Sequence, residues 1–213
     1  MNLPNALTVA RIALTPLVAL LPFVDTAPAR LAAFVLFVAA GLTDYLDGRL
    51  ARSRRTETDL GKLLDPLADK LLLVGTLVPM YLLAREAFPF VTPWGPVGLP
   101  VWIVLVILGR EAFMALFRQA AARRGVVIGA IGPAKWKTGM QLVWQGAAYF
   151  WFFAATLAAS QVWDDEPLWR AFAHFNGIVG VATMIVALGL TLYSLLLYMR
   201  RYGGLFRVLV TRR

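Results

Sequence analysis

The sequence contains no cysteine and a single histidine among its 213 residues. Without thiols the chain can form neither a disulfide bond nor a thiolate metal site. The one histidine, His174, falls on the opposite side of the predicted membrane spans from the acidic residues described below, so we expect no catalytic role for it. Charged residues are also scarce, at 15% of the chain, whereas 60% of the residues are hydrophobic. This composition argues against an ordinary soluble domain and predicts an integral membrane protein.

The net charge is strongly positive, at +9. In a soluble protein this charge would suggest a nucleic acid partner. In a membrane protein it fits basic cytoplasmic loops and anionic lipid or phosphate substrates. No glycine-rich nucleotide-binding loop of the common kinds occurs either. We therefore expect the lipid bilayer, and no nucleic acid, as a partner.

Apolar runs long enough to cross a bilayer recur along the chain. They are residues 6–23, 30–51, 62–84, 100–122, 138–159 and 171–199. The pattern predicts an all-α domain of six transmembrane helices over residues 1–199. The remaining segment, 200–213, is basic and amphipathic, so we expect it to form a separate cytoplasmic tail on the membrane surface.

Basic residues are distributed unequally between the two sides of these predicted spans. The segments 52–62, 118–137 and 200–213 contain 14 lysines and arginines, whereas the connections on the other side contain three. Cytoplasmic loops are enriched in such residues. The distribution predicts a multi-pass protein of the inner or plasma membrane with both termini in the cytoplasm.

Five aspartates occur between residues 43 and 70, and four of them, Asp44, Asp47, Asp65 and Asp69, lie close to the ends of two apolar runs. Asp44 and Asp47 share one helix face, and Asp65 and Asp69 share a face of the next helix. A carboxylate in the middle of a membrane helix costs about 2.5–3.5 kcal/mol on insertion scales. If the two helices pack antiparallel, the carboxylates converge, and divalent cations with oxygen ligands would offset the cost. Solvated acids at two helix ends are the simpler alternative. The sequence favours a metal site in a polar cavity that opens to the cytoplasm.

Three polar residues occur at a spacing of three at the start of the first apolar run. Asn5, Thr8 and Arg11 therefore lie on roughly one helix face. Two interpretations stay open for this face. Asn5 or Thr8 caps the helix while Arg11 extends its guanidinium to the membrane interface, or the face contacts a substrate.

The aspartate stretch resembles the signature of the CDP-alcohol phosphotransferases at every defined position. The matching pattern is Asp44-x2-Asp47-Gly48-x2-Ala51-Arg52-x8-Gly61-x3-Asp65-x3-Asp69. Outside it the similarity is looser but covers most of the chain, including LPNALTVARIALTP near the start and GREAFMALFRQAAARRGVV further on. These segments resemble the phosphatidylglycerophosphate synthases of that family.

The resemblance implies a role for each matching residue. Asp44, Asp47 and Asp65 would bind two divalent ions, Mg²⁺ or Mn²⁺, which polarise the substrate diphosphate and stabilise the departing CMP. Asp69 would act as the catalytic base and also contact metal. The cytidine diphosphate group would be bound by seven residues, which are Asn5, Thr8, Asp47, Gly48, Ala51, Arg52 and Gly61.

Three basic residues are candidates for binding the phosphate of a second, water-soluble substrate. Arg110 lies inside an apolar run, and Arg118 and Lys135 lie nearer to its cytoplasmic end. The alternatives are that Arg110 only pairs with the neighbouring Glu111, and that Lys135 only contributes positive charge to the cytoplasmic side. Pro133 and Ala134 precede Lys135, where the family pattern has a glycine directly before the lysine.

The resemblance implies a homodimeric enzyme that combines CDP-diacylglycerol with sn-glycerol 3-phosphate to give phosphatidylglycerophosphate and CMP. A cardiolipin synthase of the same family, with phosphatidylglycerol as acceptor, is the nearest alternative. Acids in a membrane could also belong to a cation transporter. No acidic path continues through the later helices, which argues against transport.

Overall fold

The computed structural model describes residues 3–54, 59–129, 132–161, 163 and 166–211, and the side chains of 5–43, 61, 64–129, 132, 136–161, 163 and 166–204. Most of this part of the chain is helical, as predicted. The helices are α1 (Leu3–Leu20), α2 (Ala27–Arg54), α3 (Asp59–Ala84), α4 (Val101–Ala122), α5 (Gly132–Gln161) and α6 (Pro167–Thr211). A 3-10 turn, Leu21–Phe23, follows α1, and strands β1 (Phe90–Thr92) and β2 (Gly95–Val97) lie between α3 and α4.

Within the described residues, four segments are long and apolar enough to span a membrane. They are Asn5–Phe23, Leu64–Ala84, Trp136–Gln161 and Pro167–Gly204. The described apolar part of α2, Ala27–Thr43, is shorter than a span. Helix α4 is long enough, but it contains the three charged residues Arg110, Glu111 and Arg118. The chain is therefore a multi-pass membrane protein, and the arrangement with six spans stays a prediction.

Several helices extend beyond their predicted ends. The predicted loop 52–61 is too long, because α2 continues to Arg54 and α3 already begins at Asp59. An acidic residue is favourable in the first turn of a helix, where the helix dipole is positive. Helix α6 continues to Thr211, so no break in secondary structure marks the predicted boundary at residue 199. A separate surface tail over 200–213 stays a prediction.

The connection between α3 and α4 forms a β-hairpin that the sequence analysis does not predict. Phe90 pairs with Val97 and Thr92 with Gly95 in antiparallel register. Gly95 has a φ of +119°, which favours glycine. The hydroxyl of Thr92 donates a hydrogen bond to the carbonyl oxygen of Gly95 at 2.7 Å and closes the turn. Strands of three residues are too short for a recognisable alternation.

The chain divides into two compact units. The first consists of Met1–Leu99 and Gln145–Gly180, and the second of Pro100–Trp144 and Val181–Arg213. In the first unit α1 packs against both α2 and α3. Helices α1 and α3 come close at Gly75, where an added Cβ would lie 2.8 Å from Cγ2 of Thr15.

The second half of α5 joins this first unit through Tyr149, which is 1% exposed. Its hydroxyl lies 3.3 Å from the carbonyl oxygen of Val18 and 3.4 Å from those of Gly75 and Thr76. Its ring stacks on Phe37 of α2, with the ring centroids 5.4 Å apart. One side chain therefore contacts α1, α2 and α3.

The first part of α6 packs closely against the hairpin of the same unit. A Cβ added at Gly177 would lie 1.9 Å from the carbonyl oxygen of Val91, and one at Gly180 would lie 2.4 Å from the ring of Phe90. No side chain fits at Gly177 without a shift of the backbone. These two glycines allow a helix to lie directly on a strand.

The second unit has its own apolar core around the C-terminal half of α4. Its buried members are Met114, Phe117, Ala121, Ile128 and Tyr198. Residues from α4, from the connection after it and from α6 therefore share one cluster. Arg118, one of the basic residues that the sequence analysis selects as acceptor-binding candidates, lies in the same half of α4.

Candidate active site

The four aspartates lie in helices, as their spacing predicts. Asp44 and Asp47 are one turn apart in α2, and Asp65 and Asp69 are one turn apart in α3. The side chains of the first two lie outside the described part of the structure. Carboxylate contacts are therefore given for Asp65 and Asp69.

The polar face of α1 packs against these two carboxylates. Asn5, Thr8 and Arg11 are all buried. The hydroxyl of Thr8 donates a hydrogen bond to Oδ1 of Asp65 at 2.8 Å. A guanidinium nitrogen of Arg11 donates to Oδ1 of Asp69 at 3.4 Å. Asp65 and Asp69 thus each have a polar partner on α1.

Helices α1 and α3 run in the same direction. Thr8 contacts Asp65, Arg11 contacts Asp69, and Thr15 lies against Gly75 further along both helices. The two helices therefore present matching faces over more than two turns. This register places Thr8 and Arg11 one turn apart beside two carboxylates that are also one turn apart.

Arg11 does not extend to the membrane interface, so the interfacial interpretation of this residue is wrong. Its side chain is 1% exposed, whereas that of Asp69 is 60% exposed. A guanidinium stays charged when buried, and it needs an anionic or polar partner. Pairing with Asp69 meets this need and balances part of the negative charge of the motif.

The residues predicted to contact the cytidine diphosphate group are divided between three helices. Asn5 and Thr8 lie on the buried face of α1, and Gly61 is buried near the start of α3. Gly48, Ala51 and Arg52 lie in α2, and their side chains are outside the described residues. No ligand contact is described for these positions, and their role stays a prediction.

In the second unit Arg110 and Glu111 form the predicted ion pair. One guanidinium nitrogen of Arg110 donates to Glu111 at 2.7 Å, and another donates to Oγ of Ser194 at 3.0 Å. Arg110 is 7% exposed. The carboxylate of Glu111 also accepts a hydrogen bond from the buried Lys137. Two cations therefore share one carboxylate.

The other two acceptor-binding candidates also lie in this unit. Arg118 donates a hydrogen bond to the hydroxyl of Tyr198 at 3.0 Å. Lys135 lies in the first turn of α5, and its side chain is outside the described residues. Because α5 begins at Gly132, Pro133 occupies a first-turn position, where a missing N–H costs nothing. The departure from the family pattern before Lys135 is thus compatible with a helix.

Sequence reasoning missed the pairing of Lys137 with Glu111 and of Arg11 with Asp69. The sequence analysis does not select Lys137 as a candidate, yet its side chain is 4% exposed. A signal was present in both cases, because an ionised group inside an apolar run requires an opposite charge nearby. The sequence does not specify which distant residue supplies it.

The donor atoms of the motif fit a hard divalent cation. Every acidic member is a carboxylate, and Mg²⁺ and Mn²⁺ prefer oxygen ligands. Among the side chains that the structure describes, no three histidine or acidic groups form a cluster. Asp44 and Asp47 are outside that set, so the four-carboxylate site stays a prediction. Asp65, oriented by Thr8, is the member whose geometry is best defined.

The chain was compared with known proteins. Residues 1–193 match the family model described as CDP-alcohol phosphatidyltransferase. The chain is 34% identical over 221 residues to CDP-diacylglycerol–glycerol-3-phosphate 3-phosphatidyltransferase 2 of Arabidopsis thaliana. This match covers 99% of the chain and 82% of that protein. It is 37% identical over 154 residues to the protein of Bacillus subtilis (strain 168) named CDP-diacylglycerol–glycerol-3-phosphate 3-phosphatidyltransferase, covering 67% of this chain and 73% of the relative.

A relative with a different name is similar to almost the same extent. The cardiolipin synthase (CMP-forming) of Oryza sativa subsp. japonica is 32% identical over 211 residues. The match covers 94% of this chain and 57% of that protein, so the chain spans less than two thirds of the rice protein.

The hydrogen bond from Thr8 to Asp65 gives a first prediction. Replacing Thr8 with valine keeps the side-chain shape but removes the donor. Hydrogen-bonding partners of metal ligands typically contribute 10–100-fold to metal affinity. We expect the Mn²⁺ concentration for half-maximal thermal stabilisation to rise about tenfold, measured by scanning fluorimetry in detergent.

Thr15→Val is the matched control. Thr15 is also buried on α1, but its hydroxyl donates to the carbonyl oxygen of Arg11 and not to a carboxylate. The Thr15→Val substitution should leave the Mn²⁺ concentration for half-maximal thermal stabilisation unchanged. An equal shift in both variants would show that Thr8 acts only through the stability of α1.

Proposed function

Because the chain belongs to the CDP-alcohol phosphatidyltransferase family, we propose that it transfers the phosphatidyl group from CDP-diacylglycerol to sn-glycerol 3-phosphate. The products are phosphatidylglycerophosphate and CMP. The names of the Arabidopsis and Bacillus relatives support this donor and this acceptor. As a member of this family the chain is a transferase, so the transporter alternative is wrong.

The observation that carries the proposal is the pairing of α1 with the carboxylates of α3. Asp65 and Asp69 are held at 2.8 Å and 3.4 Å by Thr8 and Arg11. A carboxylate whose side chain is fixed by a neighbour is preorganised for a substrate or an ion. Two of the signature carboxylates, those of Asp65 and Asp69, are thus held by side chains of α1, which supports the proposed site.

The reaction requires one bond to form and one to break. The acceptor hydroxyl oxygen attacks the phosphorus of the diphosphate that carries diacylglycerol. The bond from this phosphorus to the bridging oxygen breaks, and its electron pair leaves with CMP. Asp69 accepts the hydroxyl proton, for which its 60% exposed carboxylate is accessible. Arg11 holds one oxygen of Asp69 and thereby orients the carboxylate.

Asp44, Asp47 and Asp65 would hold the divalent ions, and Asp69 would contribute to the same site. When bound, these ions would polarise the diphosphate and offset the negative charge on the leaving CMP. Thr8 fixes the orientation of Asp65. Asn5, Gly48, Ala51, Arg52 and Gly61 are proposed to line the cytidine diphosphate site.

Arg110, Arg118 and Lys135 are proposed to bind the phosphate of the acceptor. Guanidinium groups suit phosphate because their donors form a fixed, planar array. Two guanidinium nitrogens of Arg110 donate hydrogen bonds to Glu111 and Ser194. Its Nε is buried and has no partner among the described residues. Glu111 and Ser194 therefore position the guanidinium.

Cardiolipin synthesis is the second candidate, and the rice relative is the observation that favours it. The two activities share the donor and differ in the acceptor. A soluble acceptor phosphate calls for several cations, which Arg110, Arg118 and Lys135 supply. This requirement favours glycerol 3-phosphate over phosphatidylglycerol.

The cellular setting follows the same proposal. We place the termini and the active site in the cytoplasm on the basis of the basic residues between the predicted spans. Location in the inner or plasma membrane and assembly as a homodimer are predictions from the family resemblance.

An acceptor panel tests the proposed activity. Purified protein is given labelled CDP-diacylglycerol with glycerol 3-phosphate, phosphatidylglycerol or inositol phosphate, and lipid products are separated by chromatography. We expect phosphatidylglycerophosphate with glycerol 3-phosphate only. EDTA should abolish the reaction and Mg²⁺ or Mn²⁺ should restore it. Cardiolipin as the main product would select the alternative, and full turnover in excess EDTA would contradict the metal site.

The base assignment gives a separate prediction. Asp69→Asn removes the proton acceptor with little change in shape, so kcat should fall about 10²–10⁴-fold. The Michaelis constant for CDP-diacylglycerol should change less than about threefold, because a base acts in the transition state. Asp25→Asn is the control, since Asp25 is a 90% exposed carboxylate paired with Arg30. Near-normal kcat for Asp69→Asn would show that another group takes the proton.

The acceptor site is tested with Arg110→Lys. Loss of the planar guanidinium group should raise the Michaelis constant for glycerol 3-phosphate about tenfold. The Michaelis constant for CDP-diacylglycerol should stay within about twofold of the wild-type value. Arg85→Lys serves as the matched control because Arg85 is 61% exposed and pairs with Glu86. Parallel changes for both substrates, or only a loss of thermal stability, would mean that Arg110 merely supports α4 through Glu111.

A further inference from the structure

Gln145 is a buried amide for which the proposed reaction has so far provided no role. Its side chain is 3% exposed, and its Nε2 has no hydrogen-bond partner among the described residues. It lies in the first half of the candidate span Trp136–Gln161. An amide donor without a partner is costly at membrane depth. Such a donor points to a ligand that accepts a hydrogen bond.

Gln145 lies on the face of α5 that packs against the other helices of the first unit. Tyr149 is four residues later, so the two side chains share a helix face. The hydroxyl of Tyr149 lies beside the carbonyl oxygens of Val18 in α1 and Thr76 in α3. The amide therefore lies one turn from a point where three helices meet.

The direction of α5 is set by its contacts with α2. Phe37 stacks on Tyr149, and Arg30, one to two turns earlier in α2, donates a hydrogen bond to Thr156, later in α5. Helix α5 therefore runs opposite to α2. Since α1 and α2 are joined by a short connection and run in opposite directions, α5 runs parallel to α1 and α3.

The depth of Gln145 relative to the carboxylates follows from residue counts. Tyr149 contacts Val18 of α1 and Thr76 of α3. Arg11 precedes Val18, and Asp69 precedes Thr76, by seven residues, which is about 10 Å at 1.5 Å per residue. Gln145 precedes Tyr149 by four residues, or about 6 Å. The amide is therefore about 4 Å from the level of the Arg11–Asp69 pair, toward the membrane centre.

We propose that the side-chain amide of Gln145 donates a hydrogen bond to an ester carbonyl oxygen of the diacylglycerol part of the lipid substrate. This assignment rests on the proposed function, which places the diphosphate at the level of the aspartates. The diacylglycerol then extends from the diphosphate toward the membrane centre. Its ester groups are its only polar groups, and they accept hydrogen bonds but cannot donate them.

The other polar groups of the substrates fit Gln145 less well. The phosphates belong with the cations and metal ligands at the aspartate level. Glycerol 3-phosphate is water-soluble and reaches the site from the aqueous side, where Asp69 is exposed. A neutral donor on the membrane side of the carboxylates matches the ester linkage. Gln145 is thus a substrate-binding residue that selects diacyl lipids over dialkyl lipids.

The first test needs no variant. The wild-type protein is assayed in mixed micelles with CDP-diacylglycerol and with its dialkyl ether analogue, which has the same chains and lacks both ester carbonyls. We expect the Michaelis constant to be about tenfold lower for the ester substrate, the effect of about one buried hydrogen bond. Equal Michaelis constants for the two lipids would overturn the proposal.

The second test identifies the residue. Gln145→Leu should raise the Michaelis constant for the ester substrate about tenfold, leave that of the ether analogue within about twofold, and so abolish the discrimination. Tyr149→Phe is the control, because it removes a buried hydroxyl on the same face that contacts backbone carbonyls. It should keep the tenfold preference. Persistence of the preference in Gln145→Leu would overturn the assignment to this residue.

Folding and function are controlled separately. Thermal unfolding in detergent establishes that each variant is folded, and Gln145→Met replaces Gln145→Leu if the latter is not. The ratio of the Michaelis constants for the ester and ether lipids can be measured with whichever alcohol serves as acceptor. A different acceptor would therefore contradict the proposed function and leave the test of Gln145 intact. If Gln145→Leu or Gln145→Met changes the Michaelis constants for both lipids by the same factor, Gln145 has only a packing role.

Discussion

The pairing of α1 with the carboxylates of α3 is the interaction on which the first unit depends. Carboxylates in an apolar helix are stabilised by polar partners, even where, as at Asp69, part of the side chain is exposed. Thr8 and Arg11 provide these partners, and they do so from the same face of α1. The first helix of the chain therefore belongs to the candidate active site, although the family signature begins at Asp44.

The sequence predicts all six helices because about 20 apolar residues give a strong signal. Helix ends are less certain, since α2 and α3 extend into the polar stretch beyond the predicted limits. The partner of Arg11 is 58 residues away, and nothing local to Arg11 specifies it. Gln145 was missed for a related reason, because one amide barely changes the average hydropathy of a long run. Side-chain partners of this kind are determined by helix packing.

The second unit satisfies its buried charges in a different way. Arg110 and Lys137 share the carboxylate of Glu111, and Ser194 completes the contacts of Arg110. Adjacent Arg110 and Glu111 were a pair that the sequence could predict, whereas Lys137 and Ser194 come from other helices. Among the described side chains, these two cations share a single carboxylate. The proposed acceptor phosphate would balance the remaining positive charge.

The first unit is discontinuous in sequence, and this has a consequence for how the protein is made. Its last part, Gln145–Gly180, is synthesised long after Met1–Leu99. Until then the contacts of Tyr149 with α1 and α3, and those of Gly177 with the hairpin, cannot form. Contacts between distant parts of a chain form late and leave partly folded intermediates exposed. The early helices are therefore made before the segment that completes their packing exists.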